Sequence, residues 1–109
     1  MSRGIASQYI TLKKDDWVVI PSHADCLMLV VKSDGTDNYV IDIKQSHDAT
    51  IPYSDIVNLA WSNFTNSTSA KYQIGTFVGE DARLHCFGYD LDSGTDPEYV
   101  RIYYRSSKR

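Results

Sequence analysis

The stretch Cys26–Lys44, CLMLVVKSDGTDNYVIDIK, carries the strongest structural signal in the chain. Residues 26–31 form an unbroken apolar run, whereas residues 38–44 alternate, with their large apolar side chains on one face. Residues 33–37 between them are polar and contain a glycine, which is typical of a tight turn. An apolar run, a turn and an alternating run predict a β-hairpin whose first strand is buried on both faces.

Length and composition indicate one folded domain without a membrane or nucleic-acid partner. The 109 residues are 42% hydrophobic and 23% charged, which is typical of a globular protein rather than a disordered one. A net charge of -3 and a pI near 5.4 leave no basic surface for nucleic acid or an anionic membrane. The N-terminus has no apolar signal-peptide core, and the longest apolar run is six residues, so we expect neither secretion nor a membrane span.

Further strand-like segments recur at regular spacing, separated by turns that contain Gly, Pro or Asp. The predicted strands are 8–12, 16–20, 26–31, 38–44, 72–78, 82–89 and 98–105. Residues 51–61 fit one helical turn capped by Ser54, but their short length and aromatic end favour a turn followed by a strand. Residues 62–70 and 90–97 are predicted loops.

Seven or eight short strands without a convincing helix predict an all-β protein, a single antiparallel β-sandwich or jelly roll. We assign residues 1–9 to a flexible arm, 10–105 to the sandwich and 106–109 to a basic tail. The predicted core consists of Ile10, Leu12, Trp17, Val19, Leu27, Leu29, Val31, Ile41, Ile43, Trp61, Leu84, Cys86, Val100 and Ile102. The two cysteines, Cys26 and Cys86, are predicted to be buried thiols rather than a disulfide.

Acidic residues before the last predicted strand are a candidate calcium site. Calcium takes six to eight oxygen ligands, and carboxylates at every second position around a glycine could supply several of them. The candidate ligands are Asp90, Asp92, Asp96 and Glu98. Their spacing departs from the EF-hand pattern, and Asp, Ser, Gly and Pro also form turns, so a solvated loop is favoured over calcium. No other cofactor is expected.

The sequence lacks the arrangements on which common catalytic sites depend. No nucleophile lies on a sharp Gly-flanked turn with a base in reach, and the six glycines are dispersed rather than grouped into a phosphate-binding loop. The three histidines are scattered, so the several-His metal site of a cupin-like enzyme would be hard to build. We therefore predict a protein that is not an enzyme.

Tyrosine is the residue type in excess, and in the last strand it alternates with arginine. Tyr99, Arg101, Tyr103 and Arg105 share one face of that strand, and with Phe87 they form a candidate interface. Tyrosine and arginine are enriched at the centres of protein–protein interfaces, although aromatic side chains also stack on sugars. The ordinary alternative is that amphipathic tyrosines cover the solvent face of a sheet.

Two stretches resemble small virion proteins of tailed bacteriophages. Residues 10–17, ITLKKDDW, followed by the apolar segments 18–21 and 27–31, resemble the opening of such proteins, and residues 79–105 resemble their closing strands. The resemblance implies a capsid-decorating (cement) protein, made in the host cytoplasm without a signal peptide and located in the virion. Its implied partners are further copies, as a homo-oligomer such as a trimer, and the major capsid protein or another virion protein.

Two alternatives stay open beside capsid decoration. One is a tail, adaptor or head-fibre component. The other is a β-sandwich module that binds a glycan or a protein and carries a calcium loop.

Overall fold

A computed structural model describes residues 8–21, 24–33, 38–57, 59–66, 71–76 and 85–106. The strands are β1 Gln8–Thr11, β2 Val18–Val19, β3 Ala24–Lys32, β4 Tyr39–Ser46, β5 Leu59–Asn66, β6 Tyr72–Thr76, β7 Cys86–Gly94 and β8 Tyr99–Ser106. A 3₁₀ helix, Tyr53–Asp55, lies between β4 and β5, which confirms the predicted turn followed by a strand. The all-β prediction is confirmed.

The eight strands form two four-stranded sheets. Sheet one has the order β1-β8-β3-β6 and sheet two the order β2-β7-β4-β5, with antiparallel pairing throughout both sheets. The first strand therefore pairs with the eighth, the second with the seventh, the third with the sixth and the fourth with the fifth. Rolling up one long antiparallel hairpin gives this pairing, which is the topology of a jelly roll.

The predicted hairpin at Cys26–Lys44 is wrong, although both of its strands exist. β3 pairs with β8 and β6 in sheet one, whereas β4 pairs with β5 and β7 in sheet two. Residues 33–38 thus connect the two sheets; of the predicted turn 33–37, residues 34–37 lie outside the described residues. Six residues easily cover the roughly 10 Å between packed sheets. Face-to-face packing then buries the apolar faces of both strands against each other.

The core lies between the inner faces of the two sheets. Its buried cluster consists of Leu12, Ile20, Leu29, Val31, Tyr39, Ile41, Ile43, Phe87, Tyr89, Val100 and Ile102. Seven predicted core residues are in this cluster. Cys86 is buried as a free thiol, as predicted, but it lies outside the core cluster, on the outer side of β7; Ile10 packs against the cluster. The predictions for the side chains of Leu27, Trp61 and Leu84 lie outside what the structure describes.

The second predicted strand has the wrong phase. Val19, predicted to be buried, is 48% exposed, whereas Val18 packs against the core and Ile20 belongs to it. Trp17 is half-buried and contacts the outer side of sheet two instead of the core. A shift of one residue moves every side chain of a strand to the opposite face, and the apolar run in this segment has no alternation that would fix the phase.

Several boundaries can be compared with the prediction. β1 begins at Gln8, where the predicted strand 8–12 begins, so the last two residues assigned to the arm belong to a strand. β5 continues to Asn66, through the first half of the predicted loop 62–70, and β7 continues to Gly94, through the first half of the predicted acidic loop. The remaining predictions for residues 1–7, 77–84 and 107–109 lie outside the described residues.

Candidate binding surface

The chain itself covers part of the outer face of sheet two. Tyr53 of the 3₁₀ helix is buried against Gly88 of β7, where an added Cβ would collide with its ring. The Tyr53 hydroxyl donates to Asp90 Oδ2 (2.8 Å), and Lys44 Nζ lies 4.4 Å from the ring centroid. Trp17 packs edge-on against the same ring at 5.0 Å and donates its indole N–H to a carbonyl of the neighbouring segment (2.6 Å).

The residues packed around Tyr53 form a small second buried cluster on the outer face of sheet two. Burial, reinforced by the hydrogen bond to Asp90, raises the pKa of the Tyr53 hydroxyl well above its ordinary value, so this group stays a donor at neutral pH. The same outer face carries Cys86, whose thiol is fully buried and donates to the Ser46 carbonyl (3.3 Å). Burial also raises the pKa of the Cys86 thiol, which keeps it protonated and unreactive.

The outer face of sheet one has no comparable cover within the described residues. Side chains alternate along each strand, so the neighbours of core residues such as Leu29 and Ile102 point outward. The outward residues are Tyr9, Thr11, Met28, Val30, Lys32, Tyr72, Ile74, Tyr99, Arg101 and Tyr103, and we call this surface the tyrosine–arginine face. Its margins are well exposed, with Tyr9 47%, Tyr72 56% and Ile74 62% accessible, whereas Val30 near its centre is buried.

The backbone register arranges this face in three rows across the strands. From β1 towards β6 the rows are Tyr9–Tyr103–Met28, Thr11–Arg101–Val30–Ile74 and Tyr99–Lys32–Tyr72. Cross-strand neighbours on one face have Cβ atoms about 5 Å apart, so the side chains of a row touch. The result is one continuous aromatic and apolar surface with two cations in it.

Arg101 lies at the centre of the face, between two tyrosine rings. Its Cζ is 4.0 Å from the ring centroid of Tyr9 and 3.8 Å from that of Tyr99, which is cation–π contact on both sides. Tyr9 also packs against Tyr103 at 5.3 Å. Arg101 donates to the Tyr103 hydroxyl (3.5 Å) and to Thr11 Oγ1 (3.4 Å), both long for hydrogen bonds. The contact with Tyr103 raises the pKa of Arg101, so its charge is permanent.

The two lysines that form salt bridges differ from Arg101. Lys32 Nζ is 2.6 Å from Glu98 and Lys14 Nζ is 2.9 Å from Asp96. In the part of the chain that the structure describes, no salt bridge includes Arg101. The central cation of the face is therefore held by aromatic rings rather than by a carboxylate.

The predicted interface residues separate into two groups. Tyr99, Arg101 and Tyr103 lie together on the face, and Arg105 is exposed further along β8, opposite Asp25 of β3. The prediction of an exposed Phe87 is wrong, because this side chain is fully buried in the core. Sequence reasoning missed the flanking residues Tyr9, Lys32, Tyr72 and Ile74, since their positions beside β8 depend on strand order.

The four predicted calcium ligands are not brought together. Asp90 lies in β7 and accepts the hydrogen bond from Tyr53, and Asp92 is an exposed residue of the same strand. Asp96 and Glu98 are each paired with a lysine. No three His, Cys, Asp or Glu residues in the described ranges are placed to hold a metal ion. The open acidic loop that the calcium hypothesis needed is mostly strand.

The fold and the face define a jelly-roll protein with an aromatic sheet surface. Comparisons with protein-family models, with curated proteins and with solved structures found no match to the chain. No helix in the described ranges is long and apolar enough to cross a bilayer. The chemistry of the face itself is therefore the basis for a functional proposal.

Proposed function

We propose that the chain is a non-enzymatic structural protein that binds the surface of another protein through its tyrosine–arginine face. The observation that carries the proposal is the contrast between the sheets. Tyr53 buries the part of the outer face of sheet two around Gly88, whereas the outer face of sheet one presents Tyr9, Tyr72 and Ile74 as accessible side chains around a buried Val30. Contiguous exposed apolar surface with tyrosine and arginine at its centre is the composition of a protein-binding site.

The dimensions of the face favour a repetitive partner. Strands about 4.8 Å apart and rows about 6.8 Å apart place the side chains on a square of roughly 14 Å, or about 600 Å² with a rim of one side chain. A standard interface buries about 800 Å² per partner, so one face alone gives modest affinity. Several linked copies on a repeating surface would bind far more tightly through avidity. A sheet face also suits a protein better than a small ligand, whose sites are concave.

The repetitive surface that we propose is the capsid of a tailed bacteriophage, in line with the sequence resemblance. The protein would decorate the shell as a homo-oligomer, and its partner would be the major capsid protein or another virion protein. A position in the tail or a head fibre would use the same face on a different partner.

Co-sedimentation with empty shells, assembled from the major capsid protein of the phage that encodes the chain, tests the proposal. We expect the wild type to sediment with shells and the double variant Tyr9→Ser with Tyr103→Ser to stay in the supernatant. The matched control is Val57→Ser, since Val57 is 86% exposed on the segment between β4 and β5, away from the face. Binding of the double variant at wild-type levels would refute the role of the face.

Light scattering on the purified protein tests self-association. We expect a mass of a trimer or larger, unchanged by a calcium chelator. A monomer that changes mass only on addition of calcium would contradict the structural role and favour a ligand-binding module.

A further inference from the structure

We infer that Arg101 binds a carboxylate of the partner protein, so that the partner places an aspartate or glutamate, flanked by apolar side chains, on the tyrosine–arginine face. This inference rests on the proposed function and specifies the chemistry of the partner. It assigns Arg101 as the residue that determines specificity, while the surrounding rings supply contact area.

The guanidinium keeps unused N–H donors along its edge. The ring centroids of Tyr9 and Tyr99 lie 4.0 and 3.8 Å from its Cζ. A guanidinium has five N–H donors, and the described chain uses two of them, in contacts of 3.4 and 3.5 Å. A carboxylate can accept two parallel hydrogen bonds from such an edge, which is the strongest pairing available to arginine. The stacked rings hold the group in place before binding, so little side-chain entropy is lost.

The charge of Arg101 requires that a partner supply an anion where it contacts the face. Lys32, in the next row, already has Glu98 at 2.6 Å, so its charge is balanced within the chain. Docking an apolar surface over Arg101 would remove water from an unbalanced cation, which is costly unless an anion replaces the water. A partner with a carboxylate at this point avoids the cost, and a partner without one is rejected.

The same charges limit which molecules could bind the tyrosine–arginine face. Two copies that met face to face across a two-fold axis at the centre of the face would bring their two Arg101 side chains together, and like charges in an interface are repulsive. Nucleic acid is disfavoured by the net charge of -3, because its binding depends on many cations along a phosphate backbone. The binding partner of the face that remains is an acidic segment of a different protein.

Titration by NMR with two matched peptides tests the inference. The probes are acetyl-Gly-Leu-Glu-Leu-Gly-amide and the same peptide with glutamine in place of glutamate. The signal of the Arg101 side-chain Nε–H should shift on titration, and the glutamate peptide should bind about tenfold more tightly than the glutamine peptide. Arg101→Gln should remove this difference, and Arg101→Lys should reduce it because lysine lacks the bidentate edge. The charge-matched control Lys13→Gln, on the exposed segment after β1, should behave as the wild type.

Equal affinity for the two peptides, or an unchanged preference in Arg101→Gln, would refute the inference. Shell sedimentation separates this failure from failure of the proposed function. If Arg101→Gln sediments as the wild type while the Tyr9 and Tyr103 double variant does not, the carboxylate role is wrong and the binding face stands. A light-scattering mass that falls to the monomer in Arg101→Gln would instead identify the occupant as a second copy. Tighter peptide binding after deletion of residues 1–7 would identify that segment as the occupant, and either result would overturn the inference.

Discussion

Removal of the Tyr53 hydroxyl tests whether the outer face of sheet two is sealed as described. The hydroxyl donates to Asp90 Oδ2 at 2.8 Å, and the ring is buried against Gly88, so water has poor access from the ring side. A hydrogen bond to a charged group contributes about 1.5–3 kcal/mol net. Because Asp90 is half-buried and can be partly rehydrated, we expect Tyr53→Phe to cost about 1.5–2 kcal/mol, at the lower end of that range.

The assay is urea denaturation monitored by tryptophan fluorescence, with the free energy of unfolding compared at pH 7. Tyr72→Phe is the matched control, since it removes a hydroxyl from an exposed ring and should change stability by less than about 0.5 kcal/mol. A double-mutant cycle with Asp90→Asn should show a coupling energy of about 1 kcal/mol or more. A cost for Tyr53→Phe no larger than that of the control, or strict additivity in the cycle, would refute the reasoning.

Two further perturbations act on the backbone and on buried tyrosines. Gly94 has a φ of 89°, and a Cβ there would collide with the Asn38 carbonyl, so Gly94→Ala should cost about 1–3 kcal/mol in urea denaturation; a change below about 0.5 kcal/mol would contradict this. Burial raises the pKa of Tyr39 to about 12 and also raises the pKa values of Tyr53 and Tyr89. These hydroxyls ionise near pH 10 in the unfolded chain and only at higher pH in the folded one, so their contribution is complete below about pH 10 and lost above it. Denaturation curves at pH 8, 10 and 11 should show stability falling by up to about 1.4 kcal/mol per pH unit for each tyrosine, and a flat profile would contradict this.

Local patterns in the sequence were sufficient to predict the class of fold but not the partners of the strands. Alternation and apolar runs identify β3 and β4 because both are central strands with large buried faces. The connection between them fits a hairpin and a crossing between sheets equally well. Long-range pairing with β8 and β7 decides between the two, and no short stretch of sequence contains that information.

The candidate site was predictable only where it lies within one strand. The alternation in β8 correctly groups Tyr99, Arg101 and Tyr103 on one face. Phe87 was misplaced because β7 has the opposite phase to the predicted one, so Phe87 faces the core between the sheets and Cys86 lies on the outer face of sheet two. The outward position of Cys86 does not make it exposed, because the segment around Tyr53 packs over β7 at Gly88.

The setting of Arg101 depends on the pairing of the first strand with the last. The spacing within β8 supplies Tyr99, two residues away, whereas Tyr9 reaches the guanidinium diagonally from β1. The contacts of Arg101 with both rings therefore form only when β1 pairs with β8, and unfolding separates the three side chains. A ligand that binds the closed form stabilises the folded protein by an amount that grows with its concentration relative to Kd. For this reason, acidic peptides that bind the tyrosine–arginine face too weakly for sedimentation should still raise the melting temperature, and the rise should be lost in Arg101→Gln.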